Sequence, residues 1–288
     1  MFMIIAVLVV IGVCLGSFVN ALVWRVREQS LLSEDVPKKK HFKTSKVPHD
    51  GNGLSILNGR SMCPECRHVL AARDLIPVFS WLMLKGRCRY CSKPISIQYP
   101  LIELVTALLF VVSYLSWPTS FTHPEVAIFI LWLGLLVGLI ALIVYDARWL
   151  LLPNRIMYPL FVLAIATDVI SIANSGDALR TLINIVLAFI VGGGIFYILF
   201  QVSGGKWIGG GDVKLGWLLG LIAGTPARSL LFIFIASIIG TLISLPLLAQ
   251  KKLKPSSTIP FGPFLIIALI IVELYGSHIL SWYQQILP

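Results

Sequence analysis

Long apolar runs alternate with short polar connections along nearly the whole chain. The runs cover approximately residues 3–24, 101–117, 126–146, 153–173, 182–202, 212–224, 227–248 and 261–281. A helix rising 1.5 Å per residue needs about 20 apolar residues to cross a hydrocarbon core about 30 Å thick. The pattern therefore predicts an all-α polytopic membrane protein with about eight transmembrane helices. The sixth run is short and glycine-rich, and its separation from the seventh around Gly224-Thr225-Pro226 is the least marked boundary. Met1 to Trp24 has neither a charged leading region nor a small-residue cleavage site, and further spans follow it, so it is expected to stay as a helix.

One long polar interruption, Arg25 to Tyr99, separates the first run from the rest. Its first half, Glu28 to Asn58, carries Pro37-Lys38-Lys39-Lys40 and Gly51-Asn52-Gly53 and reads as a flexible connection. Its second half holds four of the five cysteines within about 60–95. So few residues bury little core, and such a unit usually needs a metal or disulfides. The expected organisation is a first helix at 1–24, a loop at 25–99 containing a small four-cysteine unit, and a helical membrane domain at 100–288.

Composition agrees: 57% of residues are hydrophobic and 12% charged, about half the charge of a soluble domain, which excludes a soluble globular class. The formal net charge of +10 is a topology signal. Of 23 Lys and Arg residues, 14 lie between Arg25 and Tyr99, and with eight spans only Arg180 and Arg228 fall on the opposite side from the rest. Lys and Arg are retained on the cytoplasmic side, so the loop is expected in the cytoplasm and the amino terminus outside. Trp24, Tyr99, Trp117, Tyr145, Trp149, Trp207 and Trp282 fall at span ends, as interfacial anchors do. The lipid bilayer is the expected partner. No basic aromatic surface beyond the loop suggests nucleic acid.

Cys63-Pro64-Glu65-Cys66 and Cys88-Arg89-Tyr90-Cys91 are two C-x-x-C pairs with 21 residues between them, near the spacing of a four-cysteine zinc ribbon. The alternative, two disulfides, is disfavoured by the reducing compartment assigned to the loop. Four cysteines leave no open coordination position, so a structural zinc site is expected rather than a catalytic one. Cys14 reads as a small packed apolar residue.

Ionisable residues inside spans are costly and therefore functional candidates. They are Glu103, Asp146, Asp168, Asp212 and Glu273. Asp146 ends the third span and Asp212 begins the sixth, so both fall at the cytoplasmic boundary, whereas Asp168 lies about 22 Å further out. Asp168 and Glu273 read as interhelical hydrogen-bonding groups or solvated helix ends, and Glu103 as a group near the inner face. Asp212 follows Ile208-Gly209-Gly210-Gly211, glycines that admit an approaching backbone. Two carboxyls at one depth can share a proton, activating water with one and protonating the leaving amine with the other. The residues alone leave open an aspartyl protease pair or two helix ends touching water. The five histidines form no His-Glu-x-x-His, and no Gly-x-Ser-x-Gly is present, which disfavours zinc and serine proteolysis. An ion-coupled transporter is a further alternative, disfavoured because the best acids lie at one face.

In order along the chain, these segments resemble the prepilin peptidase family, the bifunctional enzymes that process type IV prepilins and pseudopilins. They are Gly16-Ser17-Phe18-Val19-Asn20 with Arg25; Arg60 to Cys66; Pro77 to Trp81; Lys85 to Cys91; Tyr99-Pro100-Leu101-Ile102-Glu103-Leu104; Asp146 with Leu152-Pro153-Asn154; Gly209-Gly210-Gly211-Asp212-Val213-Lys214-Leu215; and Pro260-Phe261-Gly262-Pro263-Phe264. The resemblance implies residence in the bacterial cytoplasmic (inner) membrane. It also implies cleavage of a basic leader after a glycine on the cytoplasmic side, then methylation of the new amino terminus with S-adenosylmethionine. It makes Asp146 and Asp212 the catalytic pair and Cys63, Cys66, Cys88 and Cys91 the metal tetrad of the bifunctional members; Gly209, Gly211 and Lys214 around the second aspartate, and Glu103 by its nearness to the inner face, are expected to support the pair. Cleavage without methyl transfer is the variant reading. No glycine-rich nucleotide motif marks a methyl-donor site. Because leader and loop are both basic, both are expected to associate with the anionic inner leaflet, with the leader lying near Glu103 and the aspartates.

Overall fold

The computed structural model describes residues 1–32, 54–55, 59–249 and 259–286, which form two compact units, Met1–Val112 and Ser113–Pro288. Among the described residues the structure is helical, without strands. Seven helices are long and apolar enough to cross a membrane. In the first unit these are α1 (Phe2–Leu32) and α3 (Gln98–Leu115), with a short α2 (Phe79–Met83) between them. In the second they are α4 (His123–Trp149), α5 (Asn154–Asn174), α6 (Ala178–Ser203), α8 (Pro226–Ala249) and α9 (Gly262–Ile286). The sixth apolar run forms α7 (Gly210–Ala223), whose 14 residues extend only about 21 Å. It is enclosed by α5, α6, α8 and α9.

α1 runs eight residues past the apolar stretch, so Glu28 to Leu32 are helical rather than part of a flexible connection. The extension is held from the cysteine unit: Arg67 pairs with Glu28 at 3.0 Å and lies over the Trp24 ring at 5.1 Å. The remainder of that predicted connection, residues 33–53 and 56–58, lies outside the described residues. Cys14 is exposed on the surface of α1 rather than packed. Glycines bring α1 and α3 together in antiparallel register. A Cβ on Gly12 would lie 2.5 Å from the Ala107 Cα, and one on Gly16 2.6 Å from the Glu103 Cα. This is the small-x-x-x-small seam that lets membrane helices approach closely.

In the second unit α4 is the most buried long helix, continuously so from Leu135 to Leu142. Two glycines of α7 seat it against α6. A Cβ on Gly216 would lie 2.6 Å from the Gly192 carbonyl oxygen, and one on Gly220 2.6 Å from that of Ala188. Gly193 lies against the Trp217 ring, leaving no room for a side chain. Close backbone approach therefore fixes the depth of α7, and with it the residue at its first turn.

Candidate active site

That residue is Asp212. Gly209 caps α7 in extended conformation, φ −75° and ψ 150°, and its N–H meets the Asp212 carboxylate. A carboxylate in the first turn also faces the positive end of the helix dipole. Asp146 occupies the last turn of α4. Leu150 ends that helix in the left-handed region at φ 55° and donates its N–H to the Asp146 carbonyl at 2.8 Å. Left-handed backbone costs a non-glycine residue about 1–2 kcal/mol. It allows the chain to turn within Leu150–Pro153 and start α5 at Asn154.

The two aspartate motifs meet. The charge of Asp212 reaches the Asp146 carboxyl. Lys214, on the first turns of α7, donates to Asn154 Oδ1 at the start of α5 at 3.1 Å. Gly211 packs on Leu152, where a Cβ would lie 3.4 Å from the leucine side chain. Asp146 is only 5% exposed, and its Oδ2 is buried without a hydrogen-bond partner. The Gly262 N–H at the start of α9 meets the same carboxylate, and a Cβ on Gly262 would come within 2.6 Å of Oδ2. Gly262 is the site residue that reading the sequence left without a role. Its signal was the Pro-Phe-Gly-Pro motif, two prolines framing a glycine at a helix start.

The second unit thus brings together Asp146, Asp212, Gly209, Gly211 and Lys214. Glu103 belongs to the first unit, where its buried carboxylate accepts the Val78 N–H at 2.6 Å and a hydrogen bond from Ser17. Asp168 and Glu273 form a separate group within the second unit. Arg228 lies 3.7 Å from Glu273, whose charge reaches Asp168.

The cysteine unit is built from two matching turns. Cys63 N–H donates to the His68 carbonyl at 3.0 Å and Arg67 N–H to the Cys63 carbonyl at 2.9 Å; Cys88 to Lys93 and Ser92 to Cys88 repeat the pattern at 2.9 Å each. Arg67 and Ser92 are the left-handed residues of the two turns, at φ 60° and 58°. Short antiparallel bridges, Met62 with Val69 and Arg87 with Pro94, close each one. The four sulfur atoms lie within 4.8 Å of one another, Cys63 and Cys91 at 3.9 Å, and all four cysteines are free. Tetrahedral Zn–S bonds of about 2.3 Å separate sulfurs by about 3.8 Å, so donor set and spacing fit such an ion. Burial pushes the Cys63 thiol up to about 12. Burial acts the same way on Cys88, but the N–H groups of Cys91 and Tyr90 outweigh it and bring that thiol down to about 7. The turns are tied to the preceding segment through Asp74, which accepts from Arg89 Nε at 2.7 Å and Tyr90 Oη at 2.9 Å.

Fold and sites together define a polytopic helical membrane protein with a paired-carboxylate site and a four-cysteine unit that can hold a metal. Residues 10–117 match the bacterial peptidase A24 N-terminal domain, and residues 133–245 match the type IV leader peptidase family. Among curated relatives, the prepilin leader peptidase/N-methyltransferase of Aeromonas salmonicida is 31% identical over 93% of this chain and 90% of its own length. Relatives of the same name from Pseudomonas aeruginosa and Bacillus subtilis are 30% and 33% identical, over 96% and 80% of this chain and 92% and 87% of their own. No solved structure matches the chain. The chain belongs to the type IV leader peptidase family and is an enzyme by that membership.

Proposed function

We propose that the enzyme cleaves the basic leader of type IV prepilins or pseudopilins after a glycine at the cytoplasmic face of the bacterial inner membrane, then methylates the new amino terminus. The observation that carries the peptidase reading is the meeting of Asp146 and Asp212 in one partly enclosed site. Two carboxyls within reach of each other's charge can divide the work of base and acid, one ionised and one protonated. The ionised carboxylate takes a proton from water as its oxygen attacks the scissile carbonyl carbon. The protonated partner gives its proton to the carbonyl oxygen; as the C–N bond breaks, the leaving nitrogen takes the proton that the first carboxylate received from water, and the partner regains its own from the new carboxyl. Gly262 and Gly209 place backbone N–H groups beside the two carboxylates without adding side chains to the site.

Methyl transfer is supported by the names of the relatives and by the cysteine tetrad. S-adenosylmethionine supplies an electrophilic methyl group on a sulfonium. Once bound, it would offer that methyl group to the uncharged substrate amine. Cys63, Cys66, Cys88 and Cys91 would hold a structural zinc ion that fixes the two turns. The positive-inside distribution of Lys and Arg supports a cytoplasmic position for this unit, and an anionic leaflet would attract both it and the basic leader.

Incubating the purified enzyme with a prepilin and methyl-labelled S-adenosylmethionine tests both activities. A shortened product carrying one added methyl group is expected. A shortened, unmethylated product would contradict the transferase reading, and an intact substrate the peptidase reading.

A further inference from the structure

The first unit contains an open cleft between the α1–α3 seam and the cysteine turns. No role falls to it in the cleavage chemistry above, which uses residues of the second unit.

The floor of the cleft has an unmet polar group. Asn20 is 4% exposed. Its Nδ2 donates to two carbonyls, Gly16 at 3.3 Å and Tyr99 at 3.1 Å, which fixes the orientation of the amide. Its Oδ1 is buried with no partner. A buried, unsatisfied acceptor costs about 1–3 kcal/mol, and a ligand N–H would remove that cost. Glu103 lies one helical turn from Tyr99, beside Gly16, and brings a carboxylate to the same wall. Acceptor and carboxylate together favour a cation that also donates hydrogen bonds. Trp81 and Trp24 form an aromatic wall. The Trp81 ring is fixed by donation from Nε1 to the Ile95 carbonyl at 3.1 Å and backed by Gly86, where a Cβ would lie 2.9 Å from the ring. Arg60, exposed at the rim, makes no ion pair among the described residues.

We propose that this cleft is the S-adenosylmethionine site, with the ammonium and sulfonium end at Asn20 Oδ1 and Glu103, the adenine against Trp81, and the carboxylate toward Arg60. The assignment rests on the methyltransferase reading. Each chemical feature of the donor has a counterpart: an acceptor and an anion for its two positive groups, a flat ring for its base, and a guanidinium for its carboxylate. The site is assembled from residues far apart in sequence, which accounts for the lack of a contiguous nucleotide motif.

The test uses the full chain in detergent micelles. Ultraviolet irradiation with methyl-labelled S-adenosylmethionine, followed by peptide mapping, is expected to place the adduct on the segment containing Trp81 or Trp24. S-adenosylhomocysteine is expected to suppress it. Asn20→Leu is expected to raise the Kd for S-adenosylmethionine by about 10-fold or more, the loss of one hydrogen bond to a charged group, with metal content equal to that of the native chain. An adduct confined to residues 113–288 in an enzyme that still methylates would overturn the site and keep the transferase reading. No binding together with no methyl transfer would overturn both. Suppression by a processed pilin peptide but not by S-adenosylhomocysteine would assign the cleft to the substrate's new amino terminus and overturn the proposal.

Discussion

Gly262 has no side chain, yet it sets the space around Asp146. A methyl group there would lie 2.6 Å from Oδ2, so the carboxylate must move. Misplacing a reacting group by about 1 Å can cost about 100-fold in rate. Gly262→Ala is therefore expected to lower prepilin cleavage by about 10- to 100-fold while helix content is retained, as measured by initial rates and circular dichroism. An undiminished rate would show that Asp146 does not need this contact. Asp74 is the corresponding residue of the cysteine unit. Desolvation pushes its carboxyl upward, but the bonds from Arg89 and Tyr90 and the charge of Arg89 outweigh it, leaving it below the ordinary carboxylate value. A depressed carboxyl stabilises the folded unit above its unfolded pKa, and that contribution disappears as pH falls through the folded value. Asp74→Asn should destabilise the unit at neutral pH by about 1 kcal/mol at most, because the pair is near the surface. The gap between variant and native chain should close in strong acid; thermal unfolding across pH measures it. The aspartates and cysteines were legible as residues because charge in a span and paired C-x-x-C are rare. Gly262 and Asn20 were visible only as members of motifs, because their roles depend on contacts across the fold.

At the scale of elements, apolar runs locate helices well because a bilayer demands continuous lengths of them. They do not reveal where a helix continues into water. The α1 extension rests on Arg67 and Glu28, 39 residues apart in sequence, so no local pattern announces it. The shortness of α7 was readable, but what seats it was not. Gly216 and Gly220 face the backbone of α6, a match that needs both helices in view. Gly220→Leu would drive a side chain into the Ala188 carbonyl. Overpacking of this kind costs about 1–3 kcal/mol, and it should also displace Asp212 at the other end of the helix. A lower unfolding temperature together with loss of cleavage is expected, whereas a stable and fully active variant would contradict the seating of α7.

At the scale of the whole molecule, the proposed function divides two chemistries between the two units, and each unit should respond to its own perturbation. Cys63→Ser should lower the metal content of the purified chain and loosen the turns around residues 60–95. It should leave the helices of the second unit folded, as metal analysis and limited proteolysis would show. Unchanged metal content would refute the four-cysteine site. The account depends above all on Asp146 and Asp212 acting together. The most direct measurement is cleavage of a prepilin by Asp146→Asn and by Asp212→Asn, each purified and shown by circular dichroism to retain its helices. Each substitution alone should abolish cleavage, since neither carboxyl can perform both proton transfers. Persistence of leader removal at the native rate in either variant would contradict the pair as the catalytic centre.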